Sequence, residues 1–226
     1  MKCSYCQKAI VRNLTFSEII SLRYPISEFC FSCQQRFIPI SKFRCPTCCK
    51  TQEANHQCDE CLLWQCNYPE YAFCHHALYQ YKDGFKEWLT RYKFNQETLL
   101  ASTFVPVLKQ HLRRFDQWII CPIPLSTQRF SQRGFNQVEF VLTQAKIPYQ
   151  MLLKKEIHSA PQSEKKRHER LQTRQPFQLA ITADQVEGRS ILLVDDVYTT
   201  GRTMFHAAEC LLRLPVKKIQ TFSFAR

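Results

Sequence analysis

Two adjacent carboxylates, Asp195 and Asp196, follow the wholly apolar run 191–194 and lead into "VYTTGRTM". An apolar run without polar alternation reads as a parallel strand covered on both faces. In open α/β sheets ligands bind outside the carboxyl ends of the strands, which is where this acid pair falls. Adjacent carboxylates can accept hydrogen bonds from a vicinal diol or lie beside a divalent cation. Beyond them Thr199, Thr200 and Thr203 offer hydroxyls around Gly201 and Arg202, and the glycine lets the backbone approach a ligand closely. Successive backbone N–H groups then feed into a helix N-terminus, which makes a cradle for a phosphate monoester. A diol reader followed by a phosphate cradle describes a ribose 5-phosphate.

Four C-x-x-C pairs form a second constellation: Cys3/Cys6, Cys30/Cys33, Cys45/Cys48 and Cys58/Cys61. Two such pairs supply the tetrahedral thiolate set of a structural Zn²⁺, and a small segment with little core gains much of its folding energy from the metal. Eight thiolates imply two zinc sites. The simplest pairing is sequential, Cys3, Cys6, Cys30 and Cys33 on one ion and Cys45, Cys48, Cys58 and Cys61 on the other. An interleaved arrangement uses the same ligands, and an iron–sulfur cluster would also accept four thiolates. A redox C-x-x-C is expected once, beside a βαβ pattern, and not in series. Cys49, Cys66, Cys74, His56, His75 and His76 are left over and read as packed or solvated.

The elements that must position these groups follow from the pattern of the chain. Of 13 cysteines, 11 lie between Cys3 and Cys74, which divides the 226 residues into a cysteine-rich module, 1–69, and a larger domain, 70–226. The second part alternates apolar runs with helical periodicity, as a mostly parallel α/β sheet requires. Strands are expected within 71–81, 118–124, 151–153, 191–194 and 219–224, and helices over 85–93, 95–115, 135–146 and 203–212. Asn95 is the expected N-cap of the second helix and Pro106 its kink. Residues 154–176 carry Lys154, Lys155, Lys165, Lys166, Arg167, Arg170 and Arg174 without apolar periodicity, a long basic loop suited to a lid or a binding segment. The net charge of +12 favours polyanionic partners. Neither a leader pattern after Met1 nor a run of about 18 to 20 apolar residues is visible, so the expected location is cytoplasmic.

The stretch "LLVDDVYTTGRT" resembles the phosphoribosyl pyrophosphate (PRPP) signature of type I phosphoribosyltransferases. The resemblance implies that Asp195 and Asp196 contact ribose hydroxyls, together with Mg²⁺, while Thr199, Thr200, Gly201, Arg202 and Thr203 hold the 5-phosphate. A second stretch, "CPIPLSTQRFSQRGFNQVEFV", is similar to the "PxPL…RGFNQ" segment of the ComFC group of competence proteins, which carry zinc-ribbon cysteines ahead of a phosphoribosyltransferase-like domain. Gln162, Arg170 and Phe177 stand where that group shows Q…R…F, and Thr173 where asparagine is common. By this resemblance residues 121–125 form the pyrophosphate-side loop and Arg133 is a phosphate contact. The group is implicated in uptake of single-stranded DNA beside a helicase-like translocase, with recruitment to the uptake machinery at the membrane. Two functions stay open at this point, and the DNA-uptake one is favoured. One is a Mg²⁺-dependent transferase with Asp195 and Asp196 as its catalytic acids, or a metabolic relative of the GntX type. The other is a DNA-handling factor that binds PRPP as a ligand and stacks bases on Phe130 and Phe135.

Overall fold

The computed structural model describes residues 2–10, 16, 20, 29–95, 97–155 and 175–226. Its strands are β1 (His75–Tyr79), β2 (Ile119–Pro122), β3 (Leu153–Lys155), β4 (Phe177–Leu179), β5 (Ser190–Val197) and β6 (Lys218–Ala225). Strands β1, β6, β5 and β2, in that order, form an entirely parallel sheet, and β3 with β4 makes a short antiparallel ribbon. The helices are α1 (Phe31–Gln34), α2 (Asp59–Asn67), α3 (Asp83–Phe94), α4 (Val105–Leu112), α5 (Thr127–Arg133), α6 (Gln137–Gln144) and α7 (Arg202–Leu211).

Strand β5 explains the two-sided core. Ile191, Leu192, Leu193 and Val194 are all fully buried, and their side chains alternate between the faces of the sheet. Leu192 and Val194 pack with Trp88, Phe104, Leu108 and Phe222 on one side. Ile191 and Leu193 pack with Ile119, Cys121, Phe205 and Ala208 on the other. Each such side chain contributes about 1.5–3 kcal/mol on burial, which is why no polar residue interrupts the run.

Several expectations about elements change. Asn95 ends α3 as its C-cap, its N–H bonded to the Arg91 carbonyl. Residues 95–115 then fold as a 3₁₀ turn (Thr98–Phe104), α4 and a second 3₁₀ turn (Arg113–Phe115) rather than as one helix. Trp88 Nε1 donates to the Leu100 carbonyl at 3.1 Å, which fastens the break to α3, and Pro106 sits in the first turn of α4, where its missing N–H costs nothing. The short strand expected at 151–153 is shifted to Leu153–Lys155 by its register with β4. Strand β5 runs to Val197, since pairing with β6 continues through Asp195↔Ser223 and Val197↔Ala225. Helix α5 falls in a stretch for which no element was expected, bounded by Ser126, whose Oγ accepts from the Arg129 N–H, and by Gly134 at φ 76°. The basic residues Lys165, Lys166, Arg167, Arg170 and Arg174, with Gln162 and Thr173, lie outside the described residues.

The cysteine-rich segment is a structural repeat. In each half a tight turn closes with the same backbone bonds: Cys3 N–H to the Lys8 carbonyl and Gln7 N–H to that of Cys3, against Cys45 N–H to Lys50 and Cys49 N–H to Cys45. Gln7 and Cys49 occupy equivalent left-handed positions, φ 61° and 62°. The second pair of each half, Cys30/Cys33 and Cys58/Cys61, begins a helix, with Cys30 and Cys58 as N-caps. Cysteines 3, 6, 30 and 33 gather in one group and cysteines 45, 48, 58 and 61 in another, the sequential pairing, all Sγ atoms of a group lying within 4.8 Å of one another. Sulfurs about 2.3 Å from a tetrahedral zinc stand about 3.8 Å apart. The Cys48–Cys58 and Cys45–Cys61 sulfurs are 3.7 and 3.8 Å apart, so the donors fit that ion.

Elemental analysis of the purified chain is expected to give two zinc ions, and Cys61→Ser to remove one. Loss of that ion lowers the thermal midpoint by roughly 10 °C, read by calorimetry.

Candidate functional site

The acid pair occupies the last rungs of β5, and both carboxylates line a cleft of about 260 Å³ at the carboxyl end of the sheet. Asp196 is buried, and its Oδ2 accepts from Lys93 Nζ at 2.8 Å. The Asp196 N–H donates to Asp195 Oδ1 at 2.8 Å. Burial, reinforced by the neighbouring Asp196, pushes the Asp195 carboxyl up to about 7.

Cations surround the acids. Lys93, Arg129, Arg133 and Lys155 all line the cleft. Burial, with Arg129 nearby, holds both Arg133 and Lys155 below their ordinary values, the mark of positive charge packed without enough counter-charge. Gln137 is buried in the same lining, and its Nε2 has no partner among the described residues. A buried orphan donor and under-compensated cations suit a ligand with anionic oxygens, and the carboxylates suit hydroxyls or a divalent cation, so the donor set fits PRPP with Mg²⁺.

Local chemistry fixes the walls. Asn136 Oδ1 accepts from the N–H groups of Val138 and Glu139 at the start of α6, and its Nδ2 donates to the Ile123 carbonyl at 3.0 Å. One side chain thus caps α6 and pins the loop that follows β2, which accounts for the asparagine of "RGFNQ". Arg133 reaches the cleft from the last turn of α5 and lays its guanidinium 5.5 Å from the Phe94 ring centre. Behind the wall that carries Thr199 and Thr203, Gly201 is the N-cap of α7 at φ 80°, and a Cβ there would meet the Tyr198 hydroxyl at 2.1 Å. Only glycine allows this turn.

Of the residues singled out from the sequence, Asp195, Asp196, Thr199, Thr203 and Arg133 meet in the cleft. Thr200, Gly201 and Arg202 are not in its lining. The Thr200 carbonyl faces Trp64, and Arg202 Nε donates to His206 Nε2 at 3.3 Å. Phe135, expected as a stacking surface, is instead packed against Tyr92 and Phe140. Among the leftover residues, Cys49 Sγ donates to the His75 carbonyl, the His75 ring bonds the Thr221 and Ser223 hydroxyls, and Cys66 and His56 are exposed. Lys155 belongs to the basic segment already singled out, whereas Lys93, Arg129 and Gln137 were missed as site residues. Gln137 was signalled by its place in "RGFNQ", whereas nothing in the periodicity of α3 marks Lys93.

This parallel sheet, with an acid pair and a threonine–glycine loop at its carboxyl edge, has the fold of a phosphoribosyltransferase, and residues 131–226 match the phosphoribosyl transferase domain family. The chain belongs to the ComFC family of competence proteins. It is 37% identical over 226 residues to competence protein ComFC of Streptococcus pneumoniae, covering 100% of both chains. Identity to competence protein ComFC of Bacillus subtilis is 29% over 93% of this chain and 88% of that protein. Competence protein F of Haemophilus influenzae is 28% identical over 75% of this chain and 78% of its own.

A carboxyl held above its unfolded value contributes stability that is fully present at low pH and is lost as pH rises through about 7. Replacing Asp195 by Asn removes that loss. The variant is expected to melt about 2–4 °C above the parent at pH 8, with the gap closing toward pH 5, as measured by thermal scans across that range.

Proposed function

We propose that this chain serves natural transformation, handling single-stranded DNA while PRPP with Mg²⁺ occupies the cleft at the end of β5. The observation that carries the reading is the convergence of Asp195, Asp196, Thr199 and Thr203 with Lys93, Arg129, Arg133 and Lys155 on one cleft. Asp195 and Asp196 would hold the ribose hydroxyls and the metal. The loop containing Thr199, Thr200, Gly201, Arg202 and Thr203 would hold the 5-phosphate through its hydroxyls and backbone N–H groups. The pyrophosphate falls to the cations, Arg133 foremost. When bound, PRPP supplies an activated ribose carbon with pyrophosphate as its leaving group.

The competence role draws on the names of the relatives, and the DNA-handling part on the net charge of +12 and on aromatic residues beside the cleft. Phe94 and Phe130 follow the cleft-lining Lys93 and Arg129 in the chain and are 66% and 51% exposed, and Arg133 rests on the face of Phe94. Exposed rings beside arginines offer bases a stacking surface and phosphates a charge. Among the described residues no helix is long and apolar enough to cross a membrane. Work at the membrane would come through recruitment by a helicase-like translocase from a cytoplasmic position. In this reading residues 1–69 act as the double zinc ribbon and 70–226 as the ligand-binding domain.

A transferase reading draws on Asp195, whose carboxyl near neutrality is suited to accept a proton from an incoming acceptor. Pyrophosphate release from PRPP in the presence of DNA or small amines decides between turnover and binding.

Calorimetry is expected to show PRPP binding with Mg²⁺ in the parent chain and none in the double variant Asp195→Ala, Asp196→Ala; equal affinities would remove the site assignment. Gel retardation at low salt is expected to show single-stranded DNA binding that weakens steeply with added salt. Phe130→Ala should weaken it about tenfold, the scale of one lost stacking contact.

A further inference from the structure

The loop at residues 198–203 is held from behind by the second thiolate group. The Arg226 side chain lies between them, 9% exposed. Its Nη1 donates to the Thr199 carbonyl at 2.6 Å. Its Nη2 donates to Glu60 Oε2 at 2.9 Å and to Cys48 Sγ at 3.5 Å, and the guanidinium lies 4.7 Å from the Tyr198 ring centre. The next carbonyl, of Thr200, accepts from Trp64 Nε1 at 2.9 Å. The Trp64 indole stacks on Phe205 of α7 with centres 4.2 Å apart. Glu60 and Trp64 flank Cys61 on α2, the helix that Cys58 caps.

These contacts set the direction of the loop's donors. Across a planar trans peptide the N–H points opposite to the preceding C=O. Pinning the carbonyls of Thr199 and Thr200 toward the thiolate group therefore turns the N–H groups of Thr200 and Gly201 the other way. Those are donors that a phosphate cradle needs, and a loop whose carbonyls swing freely presents them only part of the time.

We infer that Arg226 and Trp64 are positioning residues that couple the Cys45, Cys48, Cys58 and Cys61 metal site to the phosphate end of the cleft. With its metal in place the site fixes Cys48 and α2, and through them the loop in its anion-accepting form. The coupling is reciprocal, so a phosphorylated ligand in the cleft slows escape of that metal ion. This inference rests on the PRPP reading above for its ligand, but the contacts it invokes lie outside the cleft.

The test uses the full chain loaded with zinc, comparing the parent with Arg226→Met, Arg226→Lys and Trp64→Phe. Phenylalanine keeps the stacking on Phe205 and removes only the N–H donor. Three quantities are read: zinc content, PRPP affinity with Mg²⁺ by calorimetry, and amide hydrogen exchange over residues 198–203 without ligand. Arg226→Met is expected to retain both zinc ions, bind PRPP about tenfold more weakly and exchange faster in the loop, the scale of a lost charge-assisted hydrogen bond. Arg226→Lys, which keeps the charge without the fork, should recover part of the affinity. PRPP should slow zinc transfer to a chromophoric chelator in the parent and leave it unchanged in Arg226→Met. Unaltered affinity and exchange in both Arg226→Met and Trp64→Phe would overturn the coupling. If Arg226→Met sheds zinc, Trp64→Phe decides, since the donor it removes bonds the Thr200 carbonyl and not a thiolate. A parent chain that fails to bind PRPP removes the ligand reading, and loop exchange in the variants still decides the coupling.

Discussion

Paired to β6 along one edge and to β2 along the other, β5 has no register to slip into. A shift of one residue would send Leu192 and Val194 into the core built for Ile191 and Leu193, and the reverse, a mismatch on both faces at once. That double constraint delivers Asp195 and Asp196 to a fixed height at the sheet edge. The loop that follows inherits the same precision, because Val197 is still paired to Ala225 and the Tyr198 N–H bonds the Ala225 carbonyl.

Holding two carboxylates in so crowded a place works against stability, and the surroundings offset only part of the cost. Lys93 neutralises Asp196, while Asp195 is left with its charge disfavoured. Across the cleft Arg133 and Lys155 carry the opposite imbalance. Neither set can relieve the other in full without closing the space between them. A ligand bearing both hydroxyls and anionic oxygens relieves both, which is a stronger reason to expect a phosphorylated sugar than either charge set alone.

Legibility in the sequence followed how local the determining physics is. The apolar run of β5 and the four C-x-x-C pairs are contiguous patterns with one economical meaning each, and the thiolate groups stand where they were expected, as does the strand apart from its extension to Val197. Asn95 misled because an asparagine suits either end of a helix, and the choice was made by Trp88 reaching the Leu100 carbonyl. The Ser126 and Gly134 caps of α5 were readable, but its side chains are apolar too seldom to announce a helix: no α5 residue is buried. Lys93 was not readable at all. It reaches Asp196 across 103 positions of chain only because α3 packs beside the end of β5, and no periodicity encodes that.

The two halves of the cysteine repeat share a backbone and differ in what they brace. In the first half Tyr5 is held between the guanidinium groups of Arg36 and Arg91, and Arg91 also bonds the Tyr5 carbonyl and forks onto Glu97. Arg91 belongs to α3, two residues before Lys93, so this thiolate group steadies the helix that supplies the cation to Asp196. In the second half Arg226 and Trp64 reach the threonine loop on the far wall. A cleft whose opposite walls are each tied to a metal-type cluster needs little stiffness of its own in the loops that form it. That arrangement gives a cysteine-rich module a reason to sit in the same cores as the sheet, with Phe37 against Phe104 on one side and Trp64 against Phe205 on the other.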